Sequence, residues 1–210
     1  GARLNFWENL NVSRETFSRL EEYKASLLLW NRKINLISLN SSEDVWSRHF
    51  LDSAQIFKSV TTVDAHLLDM GSGGGLPGLV LAIIAKEKQP SLKITLVEAD
   101  NRKAVFLKEV VRAQGLNSVV ISERVENLPV LGVDIVTARA LASLSILLGY
   151  AHIHVKKGGK CLFLKGVSYS KEIDEALDCW SFNIKVDESI TNPGSAVLTI
   201  TDLEQDNGTH

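Results

Sequence analysis

Between an apolar run at 65–70 and a second at 78–88 stands Gly71-Ser72-Gly73-Gly74-Gly75-Leu76-Pro77-Gly78. Gly73, Gly75 and Gly78 satisfy G-x-G-x-x-G in the strand–loop–helix context that this spacing requires. Residues without Cβ atoms can take left-handed conformations and bring backbone N–H groups close to a ligand at the helix N-terminus. A chain built around such a loop is restricted to a few architectures, and the rest of its pattern selects one. Strands are expected at 92–98, 118–122, 133–137 and 160–165, with helices at 101–114 and 144–154 between them. That alternation predicts a parallel sheet covered by helices on both faces. A helix at 169–180 and strands at 182–188 and 196–202 should close the chain as an antiparallel pair.

Ahead of the first strand the pattern is helical. Phe17, Leu20, Tyr23, Leu27, Trp30 and Ile34 recur every three or four positions, with Ser13 placed to cap the helix. A second helical stretch is expected at 43–57. The expectation is a single domain over 1–204, with a helical cap at 1–60 and a doubly wound, Rossmann-like α/β core at 61–204. Residues 205–210 read as a disordered tail.

Two carboxylates bear on what the glycine loop holds. Glu98 closes the second strand, where it can accept hydrogen bonds from ribose hydroxyls. Asp69 lies two positions before Gly71. It would repel the pyrophosphate of a dinucleotide but attract the ammonium and sulfonium of S-adenosylmethionine. The cofactor expected is therefore S-adenosylmethionine, on Asp69, Gly71, Gly73, Gly75, Leu76, Gly78 and Glu98, with Val125, Glu126 and Arg139 beside them. A dinucleotide-dependent oxidoreductase remains the alternative, disfavoured by Asp69 and by the lack of room for a substrate domain.

The acceptor is narrowed by elimination. Methylation at C5 of a pyrimidine needs a cysteine nucleophile, but Cys161 falls inside a strand and Cys179 on a late helix. The Asn/Asp-Pro-Pro-aromatic loop common in exocyclic-amine methylation is absent, because Thr137-Ala138-Arg139-Ala140 stands there. Guanine N7 carries an exposed lone pair and needs alignment more than a base. Arg139 and Lys165, each ending a strand, are the candidate active-site residues. Asn31, Lys33, Asn35, Arg48, His49 and Arg124 are candidate RNA contacts, with no general-base role for His49.

Charge supports an RNA partner only locally. The net charge is −2, yet residues 101–171 carry 11 basic and 4 acidic side chains, and 172–210 carry 1 and 9. A basic face beside an acidic flank is one way to read that asymmetry. The longest apolar runs are too short to span a bilayer. The two cysteines have no metal-ligand spacing, so neither a membrane nor a metal is expected. A reducing cytoplasm and a monomer are the default expectations.

Several segments together resemble one family. These are Trp30-Asn31-Arg32-Lys33-Ile34-Asn35-Leu36, Arg48-His49-Phe50-Leu51-Asp52-Ser53, the glycine loop from Asp69 to Gly78, Glu98 with Arg102-Lys103 and Phe106-Leu107, Thr137-Ala138-Arg139-Ala140, and Lys165-Gly166. In order and over nearly the whole chain, they are similar to the RsmG (GidB) family of bacterial small-subunit ribosomal RNA methyltransferases. The resemblance implies transfer of a methyl group from S-adenosylmethionine to N7 of one 16S guanine near the decoding centre. It also implies cofactor roles for Gly71, Gly73, Gly75 and Glu98, and active-site roles for Arg139 and Lys165. Residues alone would stop at a methyltransferase of nucleic acid. A ribosome-associated protein that holds the cofactor without methylating stays open.

Overall fold

The computed structural model describes residues 2–40 and 42–206. Its centre is a seven-stranded sheet in the order β3-β2-β1-β4-β5-β7-β6. The strands β1 (His66–Met70), β2 (Lys93–Val97), β3 (Ser118–Ile121), β4 (Val133–Arg139) and β5 (Val155–Lys165) are parallel. The last two, β6 (Trp180–Glu188) and β7 (Ala196–Gln205), pair antiparallel, and β7 lies between β5 and β6. The chain order reverses between β1 and β4. Ligands in open α/β sheets bind at such a point, outside the carboxyl ends of the strands.

The helices are α1 (Ala2–Leu10), α2 (Arg14–Asn31), α3 (Leu51–Ala54), α4 (Gly78–Lys88), α5 (Asn101–Gln114), α6 (Leu144–His154) and α7 (Tyr169–Ala176). One apolar layer joins α2, α4 and α5 to one face of the sheet, and a second joins α6 and α7 to the other. Every residue from Gly78 to Ala85 is buried, which an ordinary surface helix would not allow. The reason is that α2 and α3 cover the outer side of α4. The N-terminal cap is thus a third layer, and the continuous apolar sequence of α4 is the trace of it.

The cap is fastened by polar contacts. Ser13 caps α2 by accepting from the Thr16 amide, and the Glu87 carboxylate of α4 accepts from the Ser13 amide (2.9 Å) and the Thr16 hydroxyl (2.5 Å). Burial alone would raise the Glu87 pKa, but these hydrogen bonds outweigh it and hold the carboxyl at about 2. Gln114 of α5 donates to the Arg19 carbonyl (2.8 Å).

Several sequence expectations need correction. A helix, α1, precedes the expected first one, and its Phe6 and Trp7 sit in an aromatic cluster with Phe17 and Trp46. The expected helix at 43–57 is broken into a π-helical turn (Val45–Phe50), the short α3, and a 3-10 turn (Phe57–Ser59). β5 starts at Val155, five residues early, with a bulge around Gly158 and Gly159 that hides the strand in the sequence. Helix α7 ends at Ala176 because Trp180 already pairs with Gln205. Gln205, expected in a disordered tail, therefore ends a strand, and the Asp206 amide donates to the Cys179 carbonyl. Residues 207–210 lie outside the described residues.

Replacing Glu87 by Ala leaves the Ser13 amide and the fully buried Thr16 without their shared acceptor. The expected cost is about 1–3 kcal/mol, read as a lower urea midpoint with an unchanged slope.

Candidate active site

Asp69 is the last-but-one residue of β1 and has no exposed surface. One carboxylate oxygen accepts from the Thr137 hydroxyl of β4 (2.7 Å). The other accepts from the Ser72 hydroxyl (2.7 Å) and the Gly78 amide (3.2 Å). A Cβ on Gly78 would stand 2.5 Å from that second oxygen, so only glycine fits there. Asp69 therefore lies beneath the loop and does not line the cavity above it. Expected as a cofactor-binding residue, it is instead placed as a latch, wholly buried with both oxygens engaged inside the protein.

The cavity has a volume of about 480 Å³, within the range of small-molecule sites. Gly71, Ser72, Gly73, Gly74 and Leu76 form its floor, and Glu98 stands at its side. Gly71 and Gly73 have φ of 62° and 55°, values that favour glycine. A Cβ on Gly73 would meet nothing nearer than 3.9 Å, so this residue opens onto the space. Glu98 takes the Gly73 amide on one oxygen (2.8 Å) and the Asp100 amide on the other (2.9 Å), which leaves further lone pairs for hydroxyl donors. Gly75 and Gly78, expected as cofactor contacts, turn away from the cavity. Gly75 packs so closely that a Cβ would lie 2.4 Å from Leu79 and 2.8 Å from the Tyr23 hydroxyl.

The walls come from all parts of the chain. Val125 and Glu126, in the 3-10 turn Val125–Asn127, line the cavity, with exposed Arg124 beside them. Buried His154 holds this turn from α6. Its Nε2 donates to the Val125 carbonyl (2.8 Å), so its Nδ1 is the acceptor for the Leu131 amide (3.3 Å). Leu36, Ile37, Ser38, Lys103 and Tyr150 also line the space; none of them is among the site residues expected from sequence, although Leu36 and Lys103 fall in segments that carry the family resemblance. Leu36 and Ile37 are the residues whose amides Asn31 Oδ1 accepts (2.9 and 3.1 Å). Asn31 thus shapes the cavity rim, while Lys33 and Asn35 are exposed beside it.

The cap reaches the loop through Tyr23, which sequence reading treats only as one of the buried positions of a helix. Its hydroxyl donates to the Gly74 carbonyl (2.5 Å), and its ring stacks on Phe50 at 5.0 Å. Burial, with the nearby Asp69 charge, pushes this phenol well above its ordinary range, so it stays protonated.

Arg139, one of the two expected active-site residues, ends β4 and is held by two residues of the cap. Its Nε pairs with Asp52 (3.0 Å) and its Nη2 contacts His49 Nδ1 (2.9 Å). His49 Nε2 meets the Ser38 carbonyl (2.9 Å) and must donate to it, so Nδ1 is the acceptor for Arg139. Burial first, then Arg139, depresses the His49 pKa and keeps the ring neutral. The sequence Arg48-His49-Phe50-Leu51-Asp52-Ser53 is thereby explained. His49 and Asp52 grip one guanidinium, Phe50 backs Tyr23, and half-exposed Arg48 pairs with Asp44.

Lys165, expected at the substrate side, lines a smaller cavity beyond Arg139, with most of its side chain buried. Its side chain is 7% exposed, pairs with Glu172 (2.9 Å) and donates to the Ala142 carbonyl (2.9 Å). Glu172 also accepts from the Leu144 amide at the start of α6 (2.8 Å). Lys165 therefore fixes the segment 140–143, in which Ala140 holds a φ of 53°. The basic stretch at 101–171 is split as well. Arg139 and Lys165 are at the carboxyl ends of β4 and β5, whereas Lys156 and Lys160 lie toward the other end of β5, paired with Asp134 and Asp64. Cys161 is fully buried, and burial pushes its thiol up to about 12. Among the described residues, no three His, Cys, Asp or Glu cluster as a metal site would require, and no helix is long and apolar enough to cross a membrane.

Residues 16–198 match the family described as rRNA small subunit methyltransferase G (GidB). The protein of Ruegeria pomeroyi called "Ribosomal RNA small subunit methyltransferase G" is 46% identical over 91% of this chain and 94% of its own. Its namesake in Paramagnetospirillum magneticum is 42% identical over 92% of each chain. Among solved structures, an O-methyltransferase from Bacillus cereus in complex with SAH superposes with a TM-score of 0.60 at 13% identity, covering 94% of this chain and 96% of that one. A tRNA methyltransferase from Aquifex aeolicus gives 0.56 at 13% identity over 85% and 75%. The architecture is therefore the Rossmann-like methyltransferase fold, and the oxidoreductase alternative is not favoured.

Burial holds the Asp69 carboxyl at about 6, above the ordinary 3.8, against the pull of its three hydrogen bonds. A raised folded-state pKa means that the ionised form is the less stable one in the folded protein. Stability therefore falls as pH rises through about 6 and is regained as pH falls toward the unfolded value, by on the order of 3 kcal/mol in full. Asp69→Asn can still accept from Ser72 and Gly78 and donate to Thr137, and it does not titrate. Relative to this variant, the wild type should gain stability between about pH 7.5 and 4. Urea unfolding at several pH values measures the difference, and a flat difference would refute the assignment.

Proposed function

The chain belongs to the rRNA small subunit methyltransferase G family, and we propose that it transfers a methyl group from S-adenosylmethionine to N7 of a guanine in 16S ribosomal RNA. The observation that carries this reading is the character of the Arg139 end of the cavity. A charge-paired guanidinium stands there, with neither a cysteine nucleophile nor an uncommitted histidine beside it among the described residues. Cys161 is buried as an un-ionised thiol, and His49 is committed on both ring nitrogens. An acceptor that already owns its lone pair is the kind such a site can serve.

The residues fit the cofactor. Gly73 leaves open the space that a Cβ would fill, and Glu98 offers acceptors for two ribose hydroxyls. Val125 and Glu126 would flank the adenine, and Leu36 and Ile37 would close the cap side. When bound, S-adenosylmethionine supplies an electrophilic methyl group. The protein supplies alignment and exclusion of water, which can account for several kcal/mol of barrier. Asp69 steadies the loop, Tyr23 locks the cap upon it, and the pair of His49 and Asp52 keeps Arg139 aimed. Arg139 can donate to guanine O6 and leave N7 free. Lys165 holds the segment 140–143 and lines the space beyond Arg139.

Arg48, Arg124, Lys33 and Asn35 are exposed at this end of the sheet and are the proposed RNA backbone contacts. The small ribosomal subunit, or its RNA, is the proposed partner of a monomeric, cytoplasmic enzyme. The decoding-centre guanine is proposed as the target by family membership.

Tritiated S-adenosylmethionine, incubated with small subunits from cells lacking their own guanine-N7 activity, tests the reading. Label should appear, with borohydride–aniline cleavage at one 16S guanine. Arg139→Gln should lower transfer roughly 10- to 100-fold, as loss of a charged base contact does, while cofactor affinity stays within a few-fold. Lys165→Ala should lower the melting temperature as well as the rate. Binding of cofactor without any label would instead favour a non-methylating ribosome-associated protein.

A further inference from the structure

A second cavity, of about 180 Å³, opens on the far side of Arg139. Arg139 and Ala140 line both cavities, so the space beyond Arg139 begins where the cofactor cavity ends. Its size suits one ring system, since a cavity of about 150 Å³ accommodates benzene, and it is too small for a second nucleotide. Its outer wall is the connection from β6 to β7, which the functional reading has not used.

That connection is held rigidly. Asn192-Pro193-Gly194-Ser195 forms a turn in which the Ser195 amide donates to the Asn192 carbonyl (3.1 Å) and Gly194 has a φ of 86°. Proline then glycine at the central positions is the signature of a type II turn. Behind it, the Thr191 hydroxyl donates to Asp52 (2.9 Å), Ser189 pairs with Thr191 (2.9 Å), and Gln55 contacts Ser189 and accepts from the Ile190 amide. These hydroxyls are consumed in tying the turn to the cap. Asn192, which also lines the cavity, is exposed, and its side chain has no protein partner among the described residues. Arg139 spends Nε on Asp52 and one N–H of Nη2 on His49, so its other N–H groups remain available.

We infer that this second cavity seats the acceptor guanine and that Asn192 accepts a hydrogen bond from its 2-amino group. The inference rests on the methyltransferase reading above. Guanine fits in one orientation. With N7 toward the cofactor cavity, the neighbouring O6 falls on Arg139, and the 2-amino edge turns away toward the β6–β7 wall. Adenine would bring an amino donor against the Arg139 donors and would leave Asn192 without its partner. Discrimination thus comes from two residues that line one small space, and Asp52 ties to both places, to Arg139 directly and to the turn through Thr191.

Small subunits reconstituted with RNA carrying guanosine or inosine at the methylated position test this, because inosine lacks only the 2-amino group. Wild-type kcat/KM should fall about five- to tenfold on inosine, the loss of one hydrogen bond. Asn192→Ala should fall similarly on guanosine, with no further loss on inosine and unchanged cofactor affinity. Asn192→Asp, which keeps an acceptor, should retain the preference for guanosine. Equal activity of Asn192→Ala and wild type on guanosine would overturn the assignment. So would an Asn192→Ala defect that is just as large on inosine relative to wild type, since that marks a structural role. Failure of the wild type to methylate guanosine subunits would remove the functional reading itself, and the seat with it.

Discussion

One buried carboxylate determines how the loop, two strands and a helix meet. Asp69 reaches Thr137 on β4, Ser72 in the loop and the Gly78 amide at the start of α4. Hydrogen bonds to a charged group contribute about 1.5–3 kcal/mol each, but a carboxylate wholly out of water loses several kcal/mol of hydration. The raised pKa shows that desolvation keeps the upper hand. Asp69 is therefore a device for geometry more than for stability. It places the N-terminus of α4 and the floor of the cavity in one arrangement relative to β4, where Arg139 stands.

The same logic recurs at Arg139. A charged guanidinium in a mostly buried place would be costly alone; between Asp52 and a neutral His49 it is compensated and aimed. The π-helical turn at Val45–Phe50 widens the backbone just before Asp52, the sort of distortion that functional sites often carry. Through it the cap contributes to the site at two points, Tyr23 on the loop and His49 with Asp52 on β4. The cap is thus a working wall of the site and not a separate appendage.

How much of this is legible in sequence follows from the range of each interaction. The glycine loop, α4, α5 and the parallel strands declare themselves because turn residues, caps and apolar periods act over a few positions. Asp100 capping α5 and Gly115 ending it are local in the same sense. The partners of Arg139 are not, since His49 is 90 residues distant. A lysine at a strand end looks alike whether its ammonium is free or, like that of Lys165, is paired with Glu172. Tyr23 reads as one apolar position in a helix, and nothing local tells that its hydroxyl will hold Gly74. The helix expected over 43–57 failed for a related reason: tertiary demands on His49 and Asp52 override the regular period.

These constraints bear on how the two cavities work together. The cofactor cavity is floored by the glycine loop and walled in part by the cap, while the second cavity is walled by Arg48 and Asp52 of the cap, the end of β5, the start of β7 and the β6–β7 connection. They share Arg139, whose position is set by Asp52, and Asp52 also holds Thr191. A displacement of the cap would therefore shift the loop through Tyr23, the guanidinium through Asp52 and the acceptor wall through Thr191 in one motion. Since transfer to a lone pair depends on alignment and not on acid–base chemistry, such coupling is where the rate would be controlled. The chemistry asks little of any single side chain, and the fold answers by cross-linking every wall of the site to the same few residues.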